Sequence, residues 1–225
     1  MKGIFMTTVS PVSMQRNVNF KGISQNENGI PYHKTNTGLV TGSAIGALGV
    51  LSQLGQGVEY DFMQKEIKKS SAAQAEEVAK IMEKHKKLAV PFAIIAATMS
   101  IGCGLLIDHI RNKKAAETAN VIASSKNINE AFMRDENLQV NKYGLPYHHS
   151  NTGTKLGALL GGVCGLAHGA MIPNIQQNAT GRALNMLTGA VMMALAGWGV
   201  GALYDKMVNG KAEDASIKMY ARPQI

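Results

Sequence analysis

The stretch GTKLGALLGGVCGLAHG, residues 153–169, places glycine at every fourth position: Gly153, Gly157, Gly161, Gly165 and Gly169. In a helix of 3.6 residues per turn, a four-residue step keeps all five on one slowly turning face. Each glycine costs about 0.8–1 kcal/mol of helix propensity relative to alanine in water. Such a row makes sense only where another backbone settles against it. That is how helices associate in lipid, where apolar burial gives no driving force and close van der Waals contact must supply it. The same step recurs at Gly38, Gly42 and Gly46, at Ser100 and Gly104 before Asp108, and at Gly197 and Gly201 before Asp205.

The distribution of charge points to the same solvent. Between Lys34 and Glu59 lie 24 uncharged residues, between Lys87 and Asp108 20, between Lys155 and Arg182 26, and between Arg182 and Asp205 22. Twenty helical residues cover the roughly 30 Å hydrocarbon core of a bilayer. A soluble bundle needs a charged outer face on its helices, and four such gaps leave none. The expectation is an all-α fold of four transmembrane helices, about Leu39–Val58, Leu88–Ile107, Leu156–Pro173 and Ala183–Tyr204. The first carries eight strongly apolar residues but also five glycines. Each span is therefore a weak inserter that depends on its neighbours.

Composition narrows the class further. Charged residues are 17% of the 225, below the roughly 25% usual in soluble domains. Two cysteines exclude a disulfide-stapled module, and Cys103 and Cys164 fall inside spans as small packing residues. The formal charge of +8 is accounted for by lysines flanking the spans and implies no nucleic acid. Met1–Lys21 contains no apolar run long enough for a cleavable signal, so the first span is expected to act as its own uncleaved one. Fifteen Lys and Arg fall on the side of the termini and eight on the other. Both termini are thus expected in the cytoplasm of a bacterial inner membrane, or at its equivalent in an organelle inner membrane.

A search for self-similarity divides the chain in two. Residues 29–38, GIPYHKTNTG, return as residues 144–153, GLPYHHSNTG, with seven identities in ten. Residues 102–108, GCGLLID, return as 199–205, GVGALYD, and Asn112 and Lys114 return as Asn209 and Lys211. Each copy reads as a Pro-Tyr-His motif, a helix, a loop, a second helix and an exit from Asp to Lys. The expected organisation is a flexible tail at 1–27, a first helical hairpin at 28–117 and a polar connector at 118–141. A second helical hairpin follows at 142–214 and a C-terminal tail at 215–225. Two helices per copy return the chain to its starting side, so the copies share one topology. Within the first hairpin loop, Met63, Ile67, Ala75, Val78, Ile81, Met82 and His85 share a face. This predicts an amphipathic helix over 62–87, lying on the bilayer or capping the bundle.

On these small-residue spacings the chain resembles the broad class of glycine-zipper membrane proteins. That resemblance implies tight helix packing and self-association, and no activity. Four spans with such glycines are also similar to the mitochondrial inner-membrane import-channel subunits, although the tandem Pro-Tyr-His motif is not a feature of that family.

The residues able to carry chemistry are few. Tyr32, His33, Tyr147 and His148 are expected to anchor and cap: proline sets the approach, tyrosine sits at the interface, and Asn36 or Asn151 caps the helix. A second reading uses the antiparallel hairpin, which brings His33 towards Asp108 and His148 towards Asp205. A carboxylate at a helix C-terminus is disfavoured by the dipole and invites a cationic partner. Such residues are also able to hold a divalent metal or relay protons, but no metal or other cofactor is expected. His168 is the one ionisable side chain inside the spans apart from the two thiols and Tyr204, and contact with interfacial water accounts for it. No phosphate-cradling loop, zinc-protease helix or serine elbow is present, so no enzyme is expected. The function expected is a membrane scaffold or oligomerising subunit. Its partners would be the lipid bilayer and either a second copy or another membrane protein. A small pore, channel or transporter component is the alternative, and a membrane-perturbing protein a further one.

Overall fold

The computed structural model describes residues 22–67, 73–171 and 179–220. The chain is mostly helical, at 78%, with five helices among these residues. In chain order they are β1 (Ile23–Gln25), β2 (Pro31–His33), α1 (Thr37–Ile67), α2 (Ala73–Ser124), α3 (Ile128–Arg134), β3 (Leu138–Val140), β4 (Pro146–His148), α4 (Thr152–Met171) and α5 (Ala179–Tyr220). Two compact units are formed: residues 36–106, and the remainder.

In the unit of residues 36–106, α1 and the first part of α2 meet through small residues. A methyl group placed on Gly42 or Gly104 would come closer than 3.0 Å to the backbone carbonyl of Ser100 or Gly38 respectively, and one on Gly46 would lie 3.1 Å from Ala97 Cα. The larger side chains Val40, Leu48, Leu51, Val90, Ile94, Ile95 and Met99 point outward.

The second unit holds α4 and α5, antiparallel and in one strict register. Gly153 lies against Gly201, Gly157 against Gly197, Gly161 against Met193, Gly165 against Gly189 and Gly169 against Asn185. A methyl on any of the five α4 glycines would fall inside 3.0 Å of a backbone carbonyl oxygen. The helices touch backbone to backbone, which only residues without Cβ permit. Their large residues again face outward, among them Leu159, Val163, Leu184, Leu187, Val191, Leu195 and Leu203, each more than half exposed. Gly189 belongs to this face and was missed by the sequence reading, because Met193 interrupts the glycine series between it and Gly197.

Among the described residues two helices are long and apolar enough to cross a membrane: Ala89–Ser124, with a mean hydropathy of 2.1 in its most apolar stretch, and Ala179–Tyr220, with 1.6. Only 12% and 6% of those stretches are buried. Thr37–Ser52 forms a shorter apolar stretch.

Several boundaries differ from expectation. Helices α2 and α5 do not end near Asp108 and Asp205 but run on to Ser124 and Tyr220. These extensions contain one glycine and no proline, and they bury a stripe of small residues: Ala115 and Ala119 on α2, Val208, Ala212, Ala215 and Ser216 on α5. Burial of that stripe holds the helix beyond the apolar span. Residues 118–124 therefore leave the expected connector, and residues 215–220 leave the expected tail. The remaining connector forms α3, which opens on an Asn127 side-chain cap to Glu130 N. The segment expected as a separate helix over 62–87 has no breaker near either end. Its first part continues α1 and its last part begins α2; the side chains of its proposed apolar face lie outside the described residues.

Candidate functional site

The Pro-Tyr-His motifs form strands rather than irregular approaches to the helices. In β1–β2 the register pairs Ile23 with His33 and Gln25 with Pro31; in β3–β4 it pairs Leu138 with His148 and Val140 with Pro146. The turns are built alike. Asn26 Oδ1 accepts from the backbone N–H of Asn28 and Ile30, and Asn141 Oδ1 from Tyr143 and Leu145. Gly29 and Gly144 close them at φ of 72° and 76°, where other residues are strained. The sequence signal was present: asparagine, two residues, then glycine between short apolar runs is a hairpin pattern.

Each β-hairpin is clamped to a helix by one asparagine. Asn112 accepts from Thr35 N and donates to Thr35 O, both at 2.9 Å. Asn209 does the same with Ser150, at 2.7 and 2.9 Å. These asparagines are the pair that recurs in the sequence.

At Asp205 the carboxylate has partners other than the histidine of the second reading. Asp205 is nearly buried and faces the start of α4, where its carboxylate accepts from Gly153 N at 2.9 Å, Thr154 N and Thr154 Oγ1 at 2.7 Å each, and Ser150 Oγ at 3.2 Å. The positive partner that a carboxylate near a helix exit requires is therefore the N-terminus of a neighbouring helix, with its unpaired N–H groups and dipole, and not histidine. Asn151 contributes its backbone carbonyl to the first helical bond, from Lys155 N. Asp108 accepts from Tyr204 Oη at 2.9 Å.

His33 is held by Arg111, whose Nη1 donates to the His33 carbonyl and whose Nη2 lies 3.0 Å from His33 Nδ1. Guanidinium has no acceptor, so His33 Nδ1 must carry the lone pair and Nε2 the proton. His148 has the opposite tautomer. Thr118 Oγ1 donates to the acceptor-only Asp135 carboxylate, so the 2.8 Å contact of Thr118 Oγ1 with His148 Nδ1 requires Nδ1–H as donor. The motif is the same in both copies, yet the surroundings assign each ring its proton differently. Burial drives the pKa of His33 down to about 3, with further lowering from Arg111 and Lys211. Burial also takes His148 to about 3, with Arg111 again lowering it and Asp135 opposing. Both rings are neutral at physiological pH.

Three buried side-chain nitrogens have no hydrogen-bond partner among the described residues: Arg111 Nε, His148 Nε2 and His149 Nδ1. Arg111 and His148 line a small cleft, partly open to solvent, between the two Pro-Tyr-His strands. Tyr32 and Tyr147 also line it, and Tyr147 Oη reaches Gln139 at 3.2 Å. Among the described residues no group of three His, Cys, Asp or Glu is placed to hold a metal ion. The His168 side chain lies outside the described residues, and Cys103 and Cys164 are half-buried and not joined in a disulfide.

The sequence reading missed Arg111, Thr118 and Asp135. A signal for the first two existed: Asp108, Arg111, Ala115, Thr118 and Ile122 recur at three- and four-residue steps, so an arginine occupies a small-residue stripe where the second copy has Val208. Comparison with protein families, curated proteins and solved structures gives no match to this chain.

Proposed function

We propose that this chain is an integral membrane protein of four spanning helices, arranged as two tandem helical hairpins derived from one duplicated unit. On this reading it acts as a non-enzymatic scaffold or oligomerising subunit, with both termini on the cytoplasmic side of a bacterial inner membrane or its organellar equivalent. The observation that carries the reading is the inside-out packing of α4 and α5: glycine backbones meet inside, and Leu, Val and Met face outward. In water that outer surface would cost heavily, at about 25 cal/mol per Å² of apolar area. Hydrocarbon removes the cost. The matching turns, asparagine clamps and glycine contacts support duplication. Gly102 and Gly199, at corresponding positions, have open space around them, which suits the close approach of a helix from another copy.

The test is extraction of native membranes with alkaline carbonate, followed by crosslinking in the membrane. The protein should stay in the pellet and yield crosslinked species of defined size, while proteoliposomes leave ion flux at baseline. Release into the carbonate supernatant would refute the membrane reading. Single-channel currents sensitive to Gly161→Leu would replace the scaffold with a pore.

A further inference from the structure

The cleft between the two Pro-Tyr-His strands has no part in the packing role just proposed, yet it holds a buried guanidinium whose burial outweighs the nearby charges of Asp108 and Asp205. Arg111 is completely buried and its Nη atoms bond only neutral groups, His33 and Asn112. Burying a guanidinium without a bonded anion costs several kcal/mol. The corresponding position in the second copy, Val208, is equally buried, so the framework can be built without the charge. The two unmatched nitrogens belong to residues that line the cleft, are themselves buried, and are chemically distinct. Arg111 Nε–H is a donor. His148 Nε2 is an acceptor, because the Asp135–Thr118 relay holds the ring proton on Nδ1. A ligand that satisfies both must bring negative charge, oxygen acceptors and one O–H. Carboxylate and sulfate lack the O–H near neutral pH. Water lacks the charge. Inorganic phosphate keeps a P–OH at neutral pH and supplies all three; a phosphomonoester, with a second pKa near 6, supplies them as its monoanion, the form that a site accepting the O–H selects.

We propose that this cleft binds a phosphoryl group, with Arg111 donating to its oxygens and the Nε2 lone pair of His148 accepting from its P–OH. The group arrives either as free phosphate or as the phosphomonoester head of a lipid. The cleft is partly open to solvent and admits only the end of a larger molecule.

The test uses full-length protein in phosphatidylcholine nanodiscs, titrated calorimetrically with inorganic phosphate and, separately, with sulfate. A parallel series replaces part of the phosphatidylcholine with phosphatidic acid and follows the thermal midpoint. Saturable phosphate binding, at least tenfold tighter than sulfate and at least tenfold weakened in Arg111→Lys, supports the site with free phosphate as ligand. A midpoint that rises saturably with phosphatidic acid and is flat in Arg111→Lys supports it with the lipid head as ligand. Lysine keeps the charge but loses the Nε–H and the fork. Should that variant not fold, the Arg111 Nε–H resonance of ¹⁵N-arginine-labelled wild type gives the answer: it should move with phosphate and not with sulfate. Equal response to sulfate, wild-type binding in Arg111→Lys, or no saturable effect in either series overturns the proposal.

Discussion

Gly161 and Gly162 are neighbours on α4, and the same substitution should act on them with opposite sign. A methyl on Gly162 would sit 3.6 Å from Ala194 Cβ, an ordinary contact, and replacing glycine by alanine in a helix gains about 0.5–1 kcal/mol. A methyl on Gly161 would fall inside 3.0 Å of the Met193 carbonyl oxygen, and ordinary contact begins at 3.4 Å. That oxygen belongs to the backbone of a helix and has no side-chain torsion by which to retreat. The helices must part by roughly half an ångström or more, which forfeits a quarter to a half of each nearby van der Waals well. Overpacking of this kind costs about 1–3 kcal/mol. The helix-propensity gain is common to both variants and cancels in their comparison. Gly161→Ala should thus be less stable than Gly162→Ala by about 2 kcal/mol, or some 4–8 °C in thermal midpoint for a chain of this size. Helical circular dichroism of wild type and both variants, melted in one detergent, measures the difference. Equal midpoints, or Gly161→Ala melting higher, would refute the backbone-contact account of α4 and α5.

Further outcomes follow from the polar cluster. Asp205→Ala strands four donors at the start of α4 and should cost about 3 kcal/mol or more in thermal or denaturant unfolding; a loss under 1 kcal/mol would contradict its role as cap. Both histidines titrate near pH 3 when folded and near 6.5 when unfolded. Stability should therefore be full above about pH 6.5 and fall as pH drops towards 3, by up to about 1.4 kcal/mol per unit for each ring. His33→Gln and His148→Gln should each flatten unfolding curves measured at pH 7.5 and pH 5, and variant curves parallel to wild type would argue against buried neutral rings. In a double-mutant cycle His33 should couple to Arg111 by about 1–3 kcal/mol, and a larger coupling to Asp108 would favour the His–Asp pairing instead. Gly144→Ala, at a φ of 76°, should lose about 1 kcal/mol in the same melting assay, and no loss would mean the turn tolerates Cβ.

The glycine contacts were legible because a backbone-to-backbone helix contact reduces the problem to one variable, the size of the residue on the contact face. A four-residue step of glycines gives that directly, and Gly38, Gly42, Gly46, Gly104, Gly153, Gly157, Gly161, Gly165, Gly169, Gly197 and Gly201 all lie on helices. The polar cluster was harder to read because its partners come from distant parts of the chain. His33 and Arg111 are 78 residues apart, and Asp205 and Gly153 are 52. The histidine motifs were found by repetition. Their partners were not, because repetition suggests that equal motifs have equal surroundings. One substitution, arginine where the other copy has valine, is enough to break that equality. The length of α2 and α5 was misjudged for a related reason. The charge that ends a hydrophobic span does not end a helix when a stripe of alanines continues on its buried side.

The carboxylate that caps α4 is supplied from 52 residues downstream of Gly153. At roughly 5–20 residues per second of synthesis, Gly153 is made about 3–10 s before Asp205. During that interval the glycine-rich turns of α4 have neither a stopper for their first N–H groups nor a surface to lean on. On the membrane reading proposed above, the two helices are handed over as one unit, and the machinery that inserts them retains the earlier helix until the later one arrives.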